Sequence, residues 1–173
     1  MSKIYFTADC HFSHDKIIVY TNRPFKTVEK MNDKIIENWN NKVQRNDIVY
    51  HLGDFAFKGK SKADYFENQL NGKIVHILGN HDKNNGIKSY ITECIMEFGG
   101  KIVHVSHRPP EIILDCDFAI CGHIHDKWKY YLLKGRKGKR LIIINVGVDV
   151  WDFTPVSTES VLKYYHTLLK LGN

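Results

Sequence analysis

The sequence contains no apolar run near the ~20 residues that a membrane-spanning helix requires. Its N-terminus, Met1-Ser2-Lys3-Ile4-Tyr5-Phe6, has no signal-peptide pattern. Together these favour a cytoplasmic protein without a membrane partner. Cysteine is sparse: Cys10, Cys94, Cys116 and Cys121 are scattered and form no Cys-x-x-Cys pair, which argues against a zinc ribbon or a dithiol redox motif. Free thiols packed inside the fold are expected. No internal repeat, low-complexity tract or proline-, glycine- or serine-rich linker interrupts the 173 residues, so one domain over 1–173 is expected.

Charge and patterning carry more information. The net charge of +6 suits an anionic partner such as a phosphate ester, or reflects a lysine-rich solvated surface. The densest basic stretch, Lys134-Gly135-Arg136-Lys137-Gly138-Lys139-Arg140, reads as a hairpin turn and is a weak signal for nucleic acid. β-Branched and aromatic runs predict strands at Lys3–Ala8, Asp47–Leu52, Lys73–Leu78, Lys101–Ser106, Phe118–Cys121, Trp128–Leu133 and Arg140–Val146, the last two paired across that turn. Helical spacing is predicted over Thr27–Val43, Ala63–Leu70 and Tyr90–Phe98, and from a Ser157 cap to Leu171. Alternation of strand and helix indicates a layered α/β fold.

Five short clusters of metal-binding residues follow apolar runs: Asp9-Cys10-His11, Gly53-Asp54, Gly79-Asn80-His81-Asp82, Ser106-His107 and Gly122-His123-Ile124-His125. They supply seven oxygen or nitrogen ligands, enough for two ions, and one spare histidine. At strand ends they would line the edge where open α/β sheets bind ligands. If Asp9-x-His11 is extended, its two side chains point the same way and share an ion, with Cys10 turned away; His123-x-His125 repeats that geometry. Either pair alone is as readily a surface or core feature. Asp54, after the apolar run ending at Leu52, needs a cation if buried and can bridge two; alone it could equally cap a helix. Asn80 offers a carbonyl oxygen. His81 could face the substrate, with Asp82 holding its imidazole.

The ordered set from Asp9 to His125 resembles the calcineurin-like metallophosphoesterase superfamily, and is most similar to its short stand-alone prokaryotic and phage members. Those share Asp9-Cys10-His11-Phe12-Ser13-His14, Asn22-Arg23-Pro24-Phe25, Asp47–Asp54 and an ending like Asn145-Val146-Gly147-Val148-Asp149. The resemblance implies a four-layer αββα sandwich of two mixed sheets. It also implies that Asp9, His11 and His125 hold one ion, that Asn80, His107 and His123 hold the other, and that Asp54 bridges them. His81 would contact the phosphate and leaving group. The serine/threonine protein phosphatases carry an Asp and an Arg after Gly-Asp; here Phe57 and Lys58 stand in their places, which argues against that activity.

The implied chemistry is hydrolysis of a phosphate ester by a hydroxide between two divalent ions, with His81 as general acid. Mn²⁺ is the expected metal, with Fe, Zn, Ni or Co also suited to mixed nitrogen and oxygen ligands. A phosphodiester is favoured, such as a small or 2′,3′-cyclic nucleotide or a nucleic-acid end. A phosphomonoester, or a non-catalytic interaction module of the same fold, is the alternative, and a dimer is compatible with the sequence. His14, Arg23 and Arg108 are candidates for phosphate binding. Each has a structural reading beside it: a surface or capping role for His14 and a loop salt bridge for Arg23. Asp149 and Trp151 are placed near the cleft, with core packing preferred for Trp151. His51, His76 and His104 are expected to pack or hydrogen-bond within strands, and His166 to lie on a helix surface.

Overall fold

A computed structural model describes residues 2–57 and 62–171. Lys58, on which part of the comparison with protein phosphatases rests, lies outside the described residues. In chain order the elements are β1 (Ile4–Thr7), α1 (Asp15–Tyr20), α2 (Val28–Lys42), β2 (Ile48–His51), α3 (Lys62–Glu67), β3 (Lys73–His76), β4 (Glu93–Phe98), β5 (Lys101–Ser106), β6 (Phe118–Cys121), β7 (Tyr130–Lys134), β8 (Arg140–Asn145), β9 (Val156–Ser157) and α4 (Thr158–Leu171).

Two mixed sheets form the frame, in the orders β3-β2-β1-β9 and β4-β5-β6-β8-β7. Strands β1, β2 and β3 run parallel, as do β5, β6 and β8. Alternation along each strand divides the side chains between two faces. Phe6 faces Phe118, Ile120, Ile142 and Ile144 in the core between the sheets, whereas Tyr5 and Val49 face outward onto α2. Helix α2 presents Met31, Ile35 and Trp39 to that outer face, all essentially buried, at the three-to-four spacing of an apolar stripe. Its first turn is capped by Thr27, whose side chain accepts from the Lys30 amide at 3.3 Å. Helix α4 contributes Val161, Tyr165 and Leu168 to the inter-sheet core, and Ser157 Oγ accepts from the Ser160 amide at its start.

The outer face of the second sheet is covered differently. Ala119, Cys121, Leu141 and Ile143 pack beneath Ile113, Leu114, Cys116 and Trp128. Among the described residues the β5–β6 connection holds no helix. Pro109 and Pro110 lie in that stretch, and a proline disfavours helix both at its own position and at the residue before it.

Tyr90–Phe98 is not a helix. Glu93–Phe98 forms strand β4, antiparallel to β5 from Glu93–Ser106 to Phe98–Lys101. Cys94, Met96 and Phe98 pack against the core, while Glu93, Ile95 and Glu97 are exposed, a period of two that a helix cannot satisfy. The two-residue turn Gly99-Gly100 has φ of 59° and 67°, the left-handed pair of a tight hairpin. The β7–β8 hairpin is the expected one. No helix among the described residues is long and apolar enough to cross a membrane.

Candidate metal centre

The clusters gather where the parallel strands of both sheets end. The backbone carrying them is not extended. Asp9, His11, Asp54, His123 and His125 have φ of 59°, 50°, 58°, 70° and 50°, so the extended reading of Asp9-x-His11 and His123-x-His125 is corrected. Left-handed backbone is uncommon for side-chain-bearing residues, is best tolerated by Asn, Asp and His, and concentrates at functional sites. Here it is imposed by neighbouring chain. The amides of Asp9, His11 and Phe12 donate to the carbonyls of Gly53, Asp54 and Phe55 at 3.0, 3.0 and 2.9 Å, which continues the β1–β2 pairing past the strand ends. Gly53, at φ 89°, lets the loops close: a Cβ there would lie 2.6 Å from both Gly79 Cα and His107 Nδ1.

Two buried charges hold this frame: Asp82 departs from the sequence expectation, and Arg23 takes one of its two expected roles. Asp82 does not support the His81 ring. Its carboxylate accepts from the amides of Asp54 (2.7 Å), Phe55 (3.1 Å) and Gly79 (2.7 Å), pinning the bridging loop to the Gly79 turn. Arg23 does not face substrate. Nε and Nη2 grip Asp149 at 2.7 and 2.9 Å, Nη2 also donates to Asp9 O at 2.7 Å, and Nη1 donates to Cys10 O and Met31 Sδ at 3.1 and 3.3 Å. A guanidinium has five N–H groups, and all are used. Arg23 therefore shapes the Asp9–His11 turn, and the salt-bridge reading is the one realised.

Within this frame the ligands form two groups. Candidate ligand atoms of Asp9, His11 and His125 lie within 4.8 Å of one another, as do those of Asp54, His107 and His123. Asn80 Oδ1 is 3.2 Å from His107 Nε2, which adds an oxygen to the second group. Asp54 Oδ2 stands between them, 3.6 Å from His11 Nε2 and 3.5 Å from His107 Nε2. His107 Nδ1 lies 2.7 Å from Leu52 O and His125 Nδ1 lies 3.1 Å from Asp149 Oδ2. Each contact directs the other ring nitrogen, Nε2, toward the ligand group. Asp149, which the sequence placed only near the cleft, thus joins Arg23 to His125.

The donors fit a divalent cation. Asp9 Oδ1 and both ring nitrogens of His11 are buried without a hydrogen-bond partner among the described residues. Leaving such atoms unpaired is costly, and a cation would satisfy the Asp9 oxygen and one nitrogen of His11. Burial pushes the Asp9 carboxyl up to about 6, with the nearby His125 and His107 opposing the rise. Burial also holds the His11 imidazole well below its ordinary value, hence neutral and able to ligate. For Asp54 burial works upward, but His107, His11 and the His81 amide outweigh it and keep the carboxyl below the usual carboxylate range.

The remaining candidates lie at the rim. His81 is exposed, its amide donates to Asp54 Oδ1 at 3.0 Å, and its ring centre is 5.6 Å from that of His11. His14 is buried, stacked on Phe57 at 3.8 Å between ring centres, 5.4 Å from the His11 ring. Arg108 is exposed, with Nη2 3.5 Å from Asn80 Oδ1. Trp151 is structural: its Nε1 donates to Asn145 O at 2.7 Å and Lys129 Nζ covers the ring. Cys10 is buried in the core beneath α2. His76 pairs with Glu67 and His104 with Glu93, His51 packs edge-on against Phe55, and His166 is exposed on α4.

The chain is similar to known proteins over most of its length. The chain is 41% identical over 172 residues to the uncharacterized protein MJ1445 of Methanocaldococcus jannaschii, covering 94% of this chain and 91% of that one. It superposes on the crystal structure of AQ665 from Aquifex aeolicus, a protein of unknown function, with a TM-score of 0.74 and 28% identity, over 95% of this chain and all of that one (100%). Residues 2–136 match the model of the calcineurin-like phosphoesterases, a stretch that carries every ligand of both groups, and the chain belongs to that family.

Proposed function

We propose that this protein is a hydrolase of phosphodiesters that works with two divalent cations. The observation that carries the reading is the position of Asp54 Oδ2, within 3.6 Å of an imidazole from each ligand group. Asp9, His11 and His125 would hold one ion, and His107, His123 and the Asn80 carbonyl oxygen the other, with Asp54 shared. Ions bound there supply Lewis acidity and a water of lowered pKa. Mixed imidazole and oxygen donors suit Mn²⁺, our expected metal, and also Fe, Zn, Ni or Co.

The chain's own side chains divide the remaining work. Arg108, exposed beside Asn80, offers its guanidinium to a phosphate oxygen. His81, exposed and anchored through its amide to Asp54, donates a proton to the leaving oxygen. His14, a candidate for phosphate binding, borders the first ligand group with its ring centre 5.4 Å from that of His11. Arg23 has no donor left for phosphate, so the anion meets less positive charge than a dianionic monoester would use. This supports a singly charged diester, of which a 2′,3′-cyclic nucleotide is one candidate.

Hydrolysis of bis(p-nitrophenyl) phosphate, p-nitrophenyl phosphate and a 2′,3′-cyclic nucleotide with Mn²⁺, Ni²⁺, Zn²⁺ and Mg²⁺ tests the reading. The diesters are expected to be the better substrates. A strong preference for the monoester would overturn the diester assignment, and no turnover with two ions bound would favour an interaction module.

A further inference from the structure

The segment Arg108-Pro109-Pro110-Glu111 forms a ridge between two surface grooves of about 500 and about 450 Å³. Both open onto the second ligand group. The larger borders Asn80 and His107, the smaller borders His123, and Arg108 lines both. A phosphate held at that group beside Arg108 therefore has a groove on either side. A phosphodiester has two organic arms to place and a monoester has one.

Both grooves expose more apolar than polar surface, and they differ in their aromatic side chains. The larger is lined by Leu78, Ile112 and Leu114 beside Lys83, Glu93 and Ser106, with no tryptophan or tyrosine among its described residues. The smaller is lined by Pro109, Pro110, Trp128 and Tyr131 over Leu133 and Ile143. The Trp128 and Tyr131 rings lie 5.8 Å apart at 34°. Part of Trp128 packs on the outer face of the second sheet, yet the residue is only half-buried, and Tyr131 is 49% exposed. Exposed aromatic surface beside a ligand group suits a planar ring, because every nucleobase has a π-face to stack.

We infer that the slot between Pro109–Pro110 and Trp128–Tyr131 binds the nucleobase of a nucleotide diester whose phosphate sits at Arg108 and the second ligand group. This rests on the phosphodiesterase reading and names its substrate class.

Adenosine 5′-monophosphate and ribose 5-phosphate share a phosphate and a sugar and differ by the base. Calorimetric titration of the Mn²⁺-loaded protein with each is expected to show the nucleotide binding about 5- to 150-fold tighter. Trp128→Leu and Tyr131→Leu should each shrink that ratio and leave ribose 5-phosphate affinity unchanged; the half-exposed Tyr131 keeps the test open if Trp128→Leu does not fold. Equal binding of the two ligands to the wild type, or equal weakening of both in the variants, would overturn the slot while leaving the phosphate site intact. Binding of neither ligand, together with no hydrolysis of bis(p-nitrophenyl) phosphate, would overturn the phosphoesterase reading and the slot with it.

Discussion

At the residue scale, roles separate by what each side chain touches. His81 lies outside both ligand groups, so His81→Ala should keep its metal while kcat on a diester with a poor leaving group falls about 10²–10⁴-fold. Metal analysis beside turnover checks both halves, and unchanged turnover on that substrate would remove the acid role. Asp149 touches His125 but not the second group, so Asp149→Asn should weaken one of two ions about 10- to 100-fold. Titration calorimetry that finds both ions weakened alike would contradict this. The side chains that gather into the two candidate groups were legible, because each cluster is short, ordered and placed after an apolar run. The roles of Asp82 and Asp149, and the partner in the Arg23 salt bridge, were not. Arg23 and Asp149 are 126 positions apart, and the carboxylate of Asp82 reaches amides 28 and 27 positions earlier, partnerships that no local pattern records.

At the element scale, long elements with strong periodicity were readable and short ones were decided by their partners. Helix α2 has both a cap and an unbroken stripe, and it lies where expected. Trp39 fills the centre of that stripe, fully buried, with its indole N–H donating to Asn71 O at 2.9 Å. Trp39→Ala should cost about 3–5 kcal/mol, read as a lower denaturation midpoint at an unchanged slope. The opposite case is Tyr90–Phe98, whose few apolar residues fit a helix until the Gly99-Gly100 turn pairs them with β5. The core face needed a strand, and register with a neighbour outweighed propensity. The covering of the second sheet by loop follows the same logic: Pro109 and Pro110 disfavour a helix through the start of the connection, and the loop packs the half-buried Ile113 and Leu114 onto the sheet.

At the scale of the whole molecule, the site and the fold are thermodynamically joined. Ligand atoms buried without partners oppose folding, and cations that satisfy them stabilise the native state, by about 2.7 kcal/mol at one hundred times Kd for a single site. Mn²⁺ should therefore raise Tm and a chelator lower it. The size of the shift should depend on pH. The ordinary aspartate range is near 3.9, whereas Asp9 in the folded protein is raised to about 6. Its protonated form favours the metal-free fold at low pH, and that contribution is lost as pH rises through about 6. Metal must displace this proton, so the Mn²⁺-induced shift in Tm should be small below pH 6 and grow above it; a shift that is constant from pH 5 to 8 would count against Asp9 as a ligand. A last consequence concerns the left-handed backbone at Asp9 and Asp54. Asparagine occupies that conformation as readily as aspartate, so the pair Asp9→Asn and Asp54→Asn strips two carboxylates without adding strain to the backbone. Loss of metal from that double variant would then report on the two carboxylates alone, because the turns that carry them keep their shape.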